Sequence, residues 1–211
     1  GEVLAFIDSD MWVSDDWIKK VVEIFDDIEQ KYIGMNVEIV DEKESFSALY
    51  DKITGFPVHD YIENDHFCPT CCLAVSKKII DDVGKFNENL ISSGDREFGH
   101  RVYEKGYEQS YLPEIKMYHP ARSSFSSHVK KWIRLGRGVY QLSKNYPQRY
   151  KNEKRNVLNP IYYIPPSPEI IEEIKERGKT TRFTKKIGIV CMKWIEKIFT
   201  HYGYMYEKYN G

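Results

Sequence analysis

Asp8, Ser9 and Asp10 close the segment VLAFIDSD, where a continuous apolar run meets two carboxylates one residue apart. Such a run suits a strand buried on both faces of a parallel or mixed sheet. Ligands of open α/β sheets bind where strands leave the sheet at their carboxyl ends. Two carboxylates there offer hard oxygen ligands to Mg²⁺ or Mn²⁺, which complete their shells with water and phosphate oxygens. A metal held in this way would neutralise a departing diphosphate. Acidic pairs are also common in turns and helix caps, and the triplet alone does not separate the two readings.

A second cluster runs Gly84-Lys85-Phe86-Asn87-Glu88, then Ser93-Gly94-Asp95-Arg96-Glu97-Phe98 and Arg101, with Gly106 downstream. Asp95 follows a small, flexible loop at a helix start, and Phe98 and Val102 would anchor that helix beneath it. This is a sound placement for a general base. The plainer reading makes Asp95 a helix cap and Glu97 with Arg101 a surface ion pair. Cys68 and Cys71 have the two-residue gap of a zinc knuckle beside His66, but apart from the adjacent Cys72 only the distant Cys191 offers a further thiol. The run CCLAVS reads better as a buried strand packed with small apolar thiols.

The elements that must position these groups follow from periodicity. After the strand at 3–7, Trp17, Val21, Ile24, Phe25 and Ile28 recur at helical spacing behind Ser14, Asp15 and Asp16. Residues 33–40 read as a strand, 41–44 as a polar turn, and the stretch up to Phe67 is weakly patterned. A third strand is expected at 71–76, a short helix at 77–83 stopped by Gly84, and a helix at 96–105 closed by Gly106. Tyr107–Leu112 and Ile115–Tyr118 are short strand candidates split by Pro113. Beyond His119 comes a basic, aromatic helix, then the proline-rich linker NPIYYIPPSPE and the charged helix EIIEEIKERG. Residues 183–200 form an amphipathic helix carrying Ile187, Val190, Cys191, Trp194, Ile195 and Ile198 on one side.

Composition sets the bounds. The chain has 211 residues, 41% hydrophobic and 14% aromatic, enough for a packed core and too aromatic for disorder. The net charge of −1 hides an asymmetry: residues 1–115 hold 11 basic and 25 acidic side chains, residues 116–211 hold 20 and 7. An acidic front suits a cation and a basic back suits phosphate or anionic lipid, although solvated surface charge gives the same totals. There is no apolar run long enough to span a membrane and no signal-peptide pattern, and four cysteines without such a signal suggest a reducing, cytoplasmic setting.

These blocks, in this order, resemble the family 2 glycosyltransferases of the GT-A fold over roughly residues 1–140. LAFIDSD resembles that family's strand and DxD motif, and VGKFNENLISSGDREFGHRVYEKGY its later acidic-loop signature. The resemblance implies an α/β fold, a partial GT-A (Rossmann-like) mixed sheet flanked by helices. Residues 141–211 add a linker and a helical C-terminal extension. It further implies a nucleotide-diphosphate sugar as donor, Mn²⁺ or Mg²⁺ at Asp8 and Asp10, and Asp95 as the base that deprotonates the acceptor hydroxyl. His119 matches a histidine that completes the metal shell in some relatives, although a lone histidine after a strand is also an ordinary polar terminus. Arg134 and Arg137 could steady the diphosphate, or belong to an ordinary basic helix face.

Gly94 stands where many members have glutamate, and the Gln-x-x-Arg-Trp signature of processive synthases is absent, which favours single addition over polymerisation. The family binds the nucleotide through an N-terminal βαβ segment, and we expect that segment to lie before Gly1, since nothing here takes its place. The expected function is inverting, metal-dependent transfer to a glycan, lipid-linked or small-molecule acceptor. The alternative is a noncatalytic remnant or interaction module of a split glycosyltransferase. No recognisable nucleic-acid module is present. The amphipathic face at 183–200 could lie on the inner face of a membrane or pack on the rest of the chain.

Overall fold

A computed structural model describes residues 1–26, 31–41, 45–177 and 182–211. Ile28 and the turn at 42–44 lie outside the described residues, as does Gly178. In chain order the elements are β1 (Val3–Ala5), β2 (Trp12–Val13), α1 (Trp17–Phe25), β3 (Tyr32–Val40), α2 (Phe46–Thr54) and α3 (Val58–Glu63). They continue with β4 (Leu73–Ser76), α4 (Lys77–Val83), α5 (Gly94–Glu104), β5 (Gln109–Pro120), α6 (Phe125–Asn145), α7 (Pro168–Arg177) and α8 (Phe183–Asn210). Residues 1–40, 56–89 and 94–120 form one compact unit; residues 41–55, 90–93 and 121–211 form a second. Residue 140, the boundary read from the sequence, lies within α6.

The first unit holds the whole sheet, in the order β1-β4-β3-β5-β2. β3 and β5 are parallel and the other pairings antiparallel, so the sheet is mixed, as expected. β1, β3 and β5 therefore end on the same side. Tyr32, Met35, Leu73, Val75, Phe98, Val102 and Met117 fill its core. Gly84 and Gly106 adopt φ of +91° and +84°, which only glycine takes without strain, and they stop α4 and α5 where the sequence placed the breaks.

Five expectations are corrected. β1 is an edge strand rather than one buried on both faces, with Val3 and Leu4 half-buried and Ile7 exposed. A five-residue apolar run shows that a strand packs on something, not how many neighbours it has. The two strand candidates around Pro113 are one strand with a bulge: Met35 pairs with Leu112 and Asn36 with Lys116, so residues 113–115 have no partner on β3. Proline lacks the donor a ladder needs, and the extra residues loop out around it. The weakly patterned stretch before Phe67 contains two helices, α2 being capped by Ser45, whose hydroxyl accepts from the Ala48 N–H at 3.0 Å. Cys71 and Cys72 sit in a 3-10 turn, and their strand begins at Leu73. The last helix runs to Asn210, ten residues further than expected.

In the second unit α6 and α8 pack closely. A Cβ added to Gly136 would lie 1.9 Å from the Thr200 carbonyl oxygen, and one added to Gly203 would lie 2.1 Å from that of Ile133. Backbone touches backbone at both glycines. Ile189, Met192, Tyr204 and Met205 of α8 are buried; of the apolar side read from the sequence, Val190, Trp194, Ile195 and Ile198 are half-buried while Ile187 and Cys191 are exposed. Among the described residues no helix is long and apolar enough to cross a membrane.

Candidate active site

Strand register brings the site together. β2 runs antiparallel to β5 with Trp12 opposite Tyr118 and Val13 opposite Met117. Continuing that register places Met11 opposite His119 and Asp10 opposite Pro120, at the carboxyl end of β5. Asp8 reaches the same edge because β1 ends there, and the Met11 N–H donates to the Asp8 carbonyl at 3.0 Å, tightening the turn that contains Ser9. Along β5, Ile115, Met117 and His119 are buried while Lys116 is exposed, the alternation of a pleated strand. His119 is thus carried inward at the strand's last turn toward solvent.

One ligand atom from each of Asp8, Asp10 and His119 lies within 4.8 Å of the others. Both aspartates are exposed and the histidine is buried. The His119 Nδ1 is 2.7 Å from the Pro120 carbonyl oxygen, so it carries the proton and donates there. Nε2 is left as the basic nitrogen, with its ring orientation held as metal-binding histidines usually are. The Phe56 ring packs 5.3 Å from the imidazole. Two carboxylates and an oriented imidazole form a donor set that fits Mn²⁺ or Mg²⁺, leaving about half of an octahedral shell for water and phosphate.

Asp95 lies in the first turn of α5, directly after Ser93, whose φ of +63° turns the chain sharply into the helix. Its Oδ1 accepts from the Arg96 N–H at 2.8 Å, and Phe98 and Val102 are fully buried beneath it. Asp95 and Asp8 act on one group. The Cys71 thiol is pushed far above its ordinary value by its hydrogen bond with Cys72 and by burial, and negative charge at Asp8 and Asp95 adds to the shift. Both carboxylates are therefore within electrostatic reach of a single buried thiol.

Glu97 and Arg101 are a correction. Glu97 is buried, not a surface group, and the Arg101 guanidinium grips it with Nε to Oε1 at 2.8 Å and Nη2 to Oε2 at 2.9 Å. The same guanidinium donates to the carbonyls of Val83 at 2.6 Å and Lys85 at 2.8 Å. It ties the Gly84 turn to the helix that carries Asp95. Gly99 serves the same helix, since a Cβ there would lie 2.6 Å from the Phe67 Cα. Sequence reasoning missed Phe56, which packs on the His119 imidazole and falls in the stretch without clear period.

Arg134 and Arg137 lie on α6, in the second unit. Arg134 is exposed. Arg137 donates from Nε to the Glu207 carboxylate at 2.7 Å and covers the Tyr206 ring at 5.5 Å.

The mixed sheet with an acidic turn at its carboxyl edge defines a GT-A-type α/β protein. The sequence profile of glycosyl transferase family 2 matches residues 1–84. Glycosyltransferase AglE of Haloferax volcanii is 26% identical over 199 residues, covering 92% of this chain and 64% of the relative. A solved mannosyltransferase of Pyrobaculum calidifontis, in complex with GDP-Man and Mn²⁺, shares the fold with a TM-score of 0.53 and 9% identity. That match covers 100% of this chain and 63% of the solved one. The chain thus spans just under two thirds of the length of these relatives.

Proposed function

We propose that the chain carries the metal and acceptor side of a glycosyltransferase that moves a sugar from a nucleotide-diphosphate sugar to an acceptor hydroxyl. The carrying observation is the convergence of Asp8 and Asp10 with His119, more than a hundred residues away in sequence, at one sheet edge. These three would hold Mn²⁺ or Mg²⁺, which when bound supplies positive charge against the departing diphosphate. Asp95 accepts the acceptor's proton as its oxygen attacks the anomeric carbon. The new C–O bond forms on the face opposite the breaking bond to the diphosphate, so the anomeric centre inverts. The Pro120 carbonyl and the Phe56 ring hold the His119 imidazole, and Arg101 holds the turn before Asp95, so neither group need be reoriented during the reaction.

The GDP-Man and Mn²⁺ of the solved mannosyltransferase make those the first donor and metal to try. Calorimetric titration with nucleoside diphosphates and their sugars, with and without Mn²⁺, should give metal-dependent binding. Asp10→Ala should weaken it at least about tenfold, since even outer-shell changes at metal sites cost that much. Binding indifferent to metal and to Asp10→Ala would sink the assignment.

A further inference from the structure

The second unit contains a cavity of about 310 Å³ lined by Arg155, Tyr162, Lys193, Glu196, Lys197 and Thr200, with Pro166 and Ile170 completing the wall. Three cationic side chains and one carboxylate therefore surround it. Glu196 already accepts from the Tyr50 hydroxyl and lies 2.9 Å from the Lys193 ammonium. Lys197 donates to the Ile164 carbonyl at 3.3 Å. Among the described residues no carboxylate forms an ion pair with Arg155. Its guanidinium is 5.4 Å from the Tyr162 ring centre and 5.7 Å from that of Tyr204.

Aromatic faces attract a guanidinium more weakly than a carboxylate does, and burial disfavours the charge on Arg155. Tyr162, Glu153 and Tyr204 offset part of that cost, but a desolvated cation with no carboxylate paired to it is costly to keep, and a guanidinium's fork of donors matches phosphate oxygens. Ile161, beside the lining residue Tyr162 in sequence, is 51% exposed, Ile164, whose carbonyl accepts from Lys197, is 52% exposed, and Ile170 of the wall is 36% exposed. A cationic hollow bordered by exposed apolar side chains has the chemistry of a receptor for a phosphorylated amphiphile.

We propose that this cavity binds a phosphate monoester, with its oxygens on Arg155, Lys193, Lys197 and Thr200 and its organic part along the apolar rim. The phosphate could be a lipid headgroup or a soluble ester, and the two arms of the test separate them. One arm titrates inorganic phosphate calorimetrically; the other measures co-sedimentation with phosphatidylcholine vesicles containing phosphatidic acid, at constant ionic strength. The proteins compared are the wild type, Arg155→Gln, the Lys193→Gln/Lys197→Gln double variant, and Lys130→Gln, an exposed lysine on α6.

Saturable binding should fall at least about tenfold in the first two variants, the loss of one charge-assisted hydrogen bond, and stay within about twofold in Lys130→Gln. Binding confined to free phosphate would assign a soluble ester, and binding strengthened on phosphatidic-acid vesicles a lipid; either supports the site. Binding of neither probe, or equal losses in Lys130→Gln and Arg155→Gln, would overturn it. If circular dichroism shows Arg155→Gln unfolded, the double lysine variant decides alone.

Discussion

In the first unit Asp8 and Asp10 stand exposed beside a buried imidazole, and among the described residues no basic side chain forms an ion pair with either. In the second, the Arg122 N–H donates to Asp51 at 2.9 Å, Tyr50 and Lys193 hold Glu196, and Arg137 and Gln141 hold Glu207 at 2.7 and 2.8 Å. Carboxylates that are answered from within their own unit contribute to its stability. Carboxylates left open at a strand end contribute little to folding and are available to a ligand. Substitution of the open carboxylates of the first unit should therefore show in activity, and disruption of the answered carboxylates of the second in stability.

The largest effect is expected at Asp95. Asp95→Asn keeps the shape and removes the base, and kcat should fall by about 10² to 10⁴ while Mn²⁺-dependent donor binding and the melting temperature hardly move. A loss of melting temperature matching the loss of rate would break the contrast, because Asp95 would then be a structural cap. In the second unit Gly203→Ala drives a methyl group against the Ile133 carbonyl, where both partners are backbone and cannot rotate away. It should cost about 3 kcal/mol in urea unfolding. An alanine tolerated there would mean that the α6–α8 crossing is looser than its geometry. Arg137→Met leaves the Glu207 carboxylate with the Gln141 amide alone. Because Arg137 is 32% exposed, the loss should be about 2 kcal/mol rather than the larger cost of a fully buried pair.

Much of the first unit could be read in the residues because its signals are local. An apolar run before Asp8, glycines at 84 and 106, and the buried spacing of Phe98 and Val102 each announce one element. That Asp8, Asp10 and His119 come together was suggested by family resemblance. What brings them together in the fold is the β2–β5 register, a pairing between Trp12 and Tyr118 that no local pattern encodes. The edge position of β1, the bulge at Pro113 and the role of Arg101 depend in the same way on partners distant in sequence. The second unit was less legible, because α2 is short and supplies Tyr50 and Asp51 to contacts with residues 70 or more positions away. The Tyr-rich end of α8 shows no clean stripe because α6 meets it through the Ile133 backbone at Gly203 and the Tyr140 ring at Tyr204.

The smallest effect expected is on acidification, and it too belongs to the second unit. His201 is buried, stacked on Tyr162 with ring centres 4.3 Å apart, and among the described residues neither ring nitrogen has a hydrogen-bond partner. Burial, and then the charge on Arg155, hold its pKa below the ordinary histidine value. His128, whose Nε2 is 3.1 Å from the Ser47 carbonyl, is also lowered, chiefly by burial, with Lys131 and Arg122 adding to the shift and Asp51 opposing it. Above the unfolded value of about 6.5 both states are neutral at these rings and nothing changes. Below it the unfolded chain takes up protons that the folded chain refuses, so stability falls with pH until the folded pKa values are passed. Urea midpoints measured between about pH 7.5 and 5.5 should drop at the acid end, and His201→Phe, which preserves the ring stack, should flatten the slope. A midpoint that rises toward pH 5.5 would mean that an anionic group reaches these rings, and that the second unit's charges are not closed among themselves.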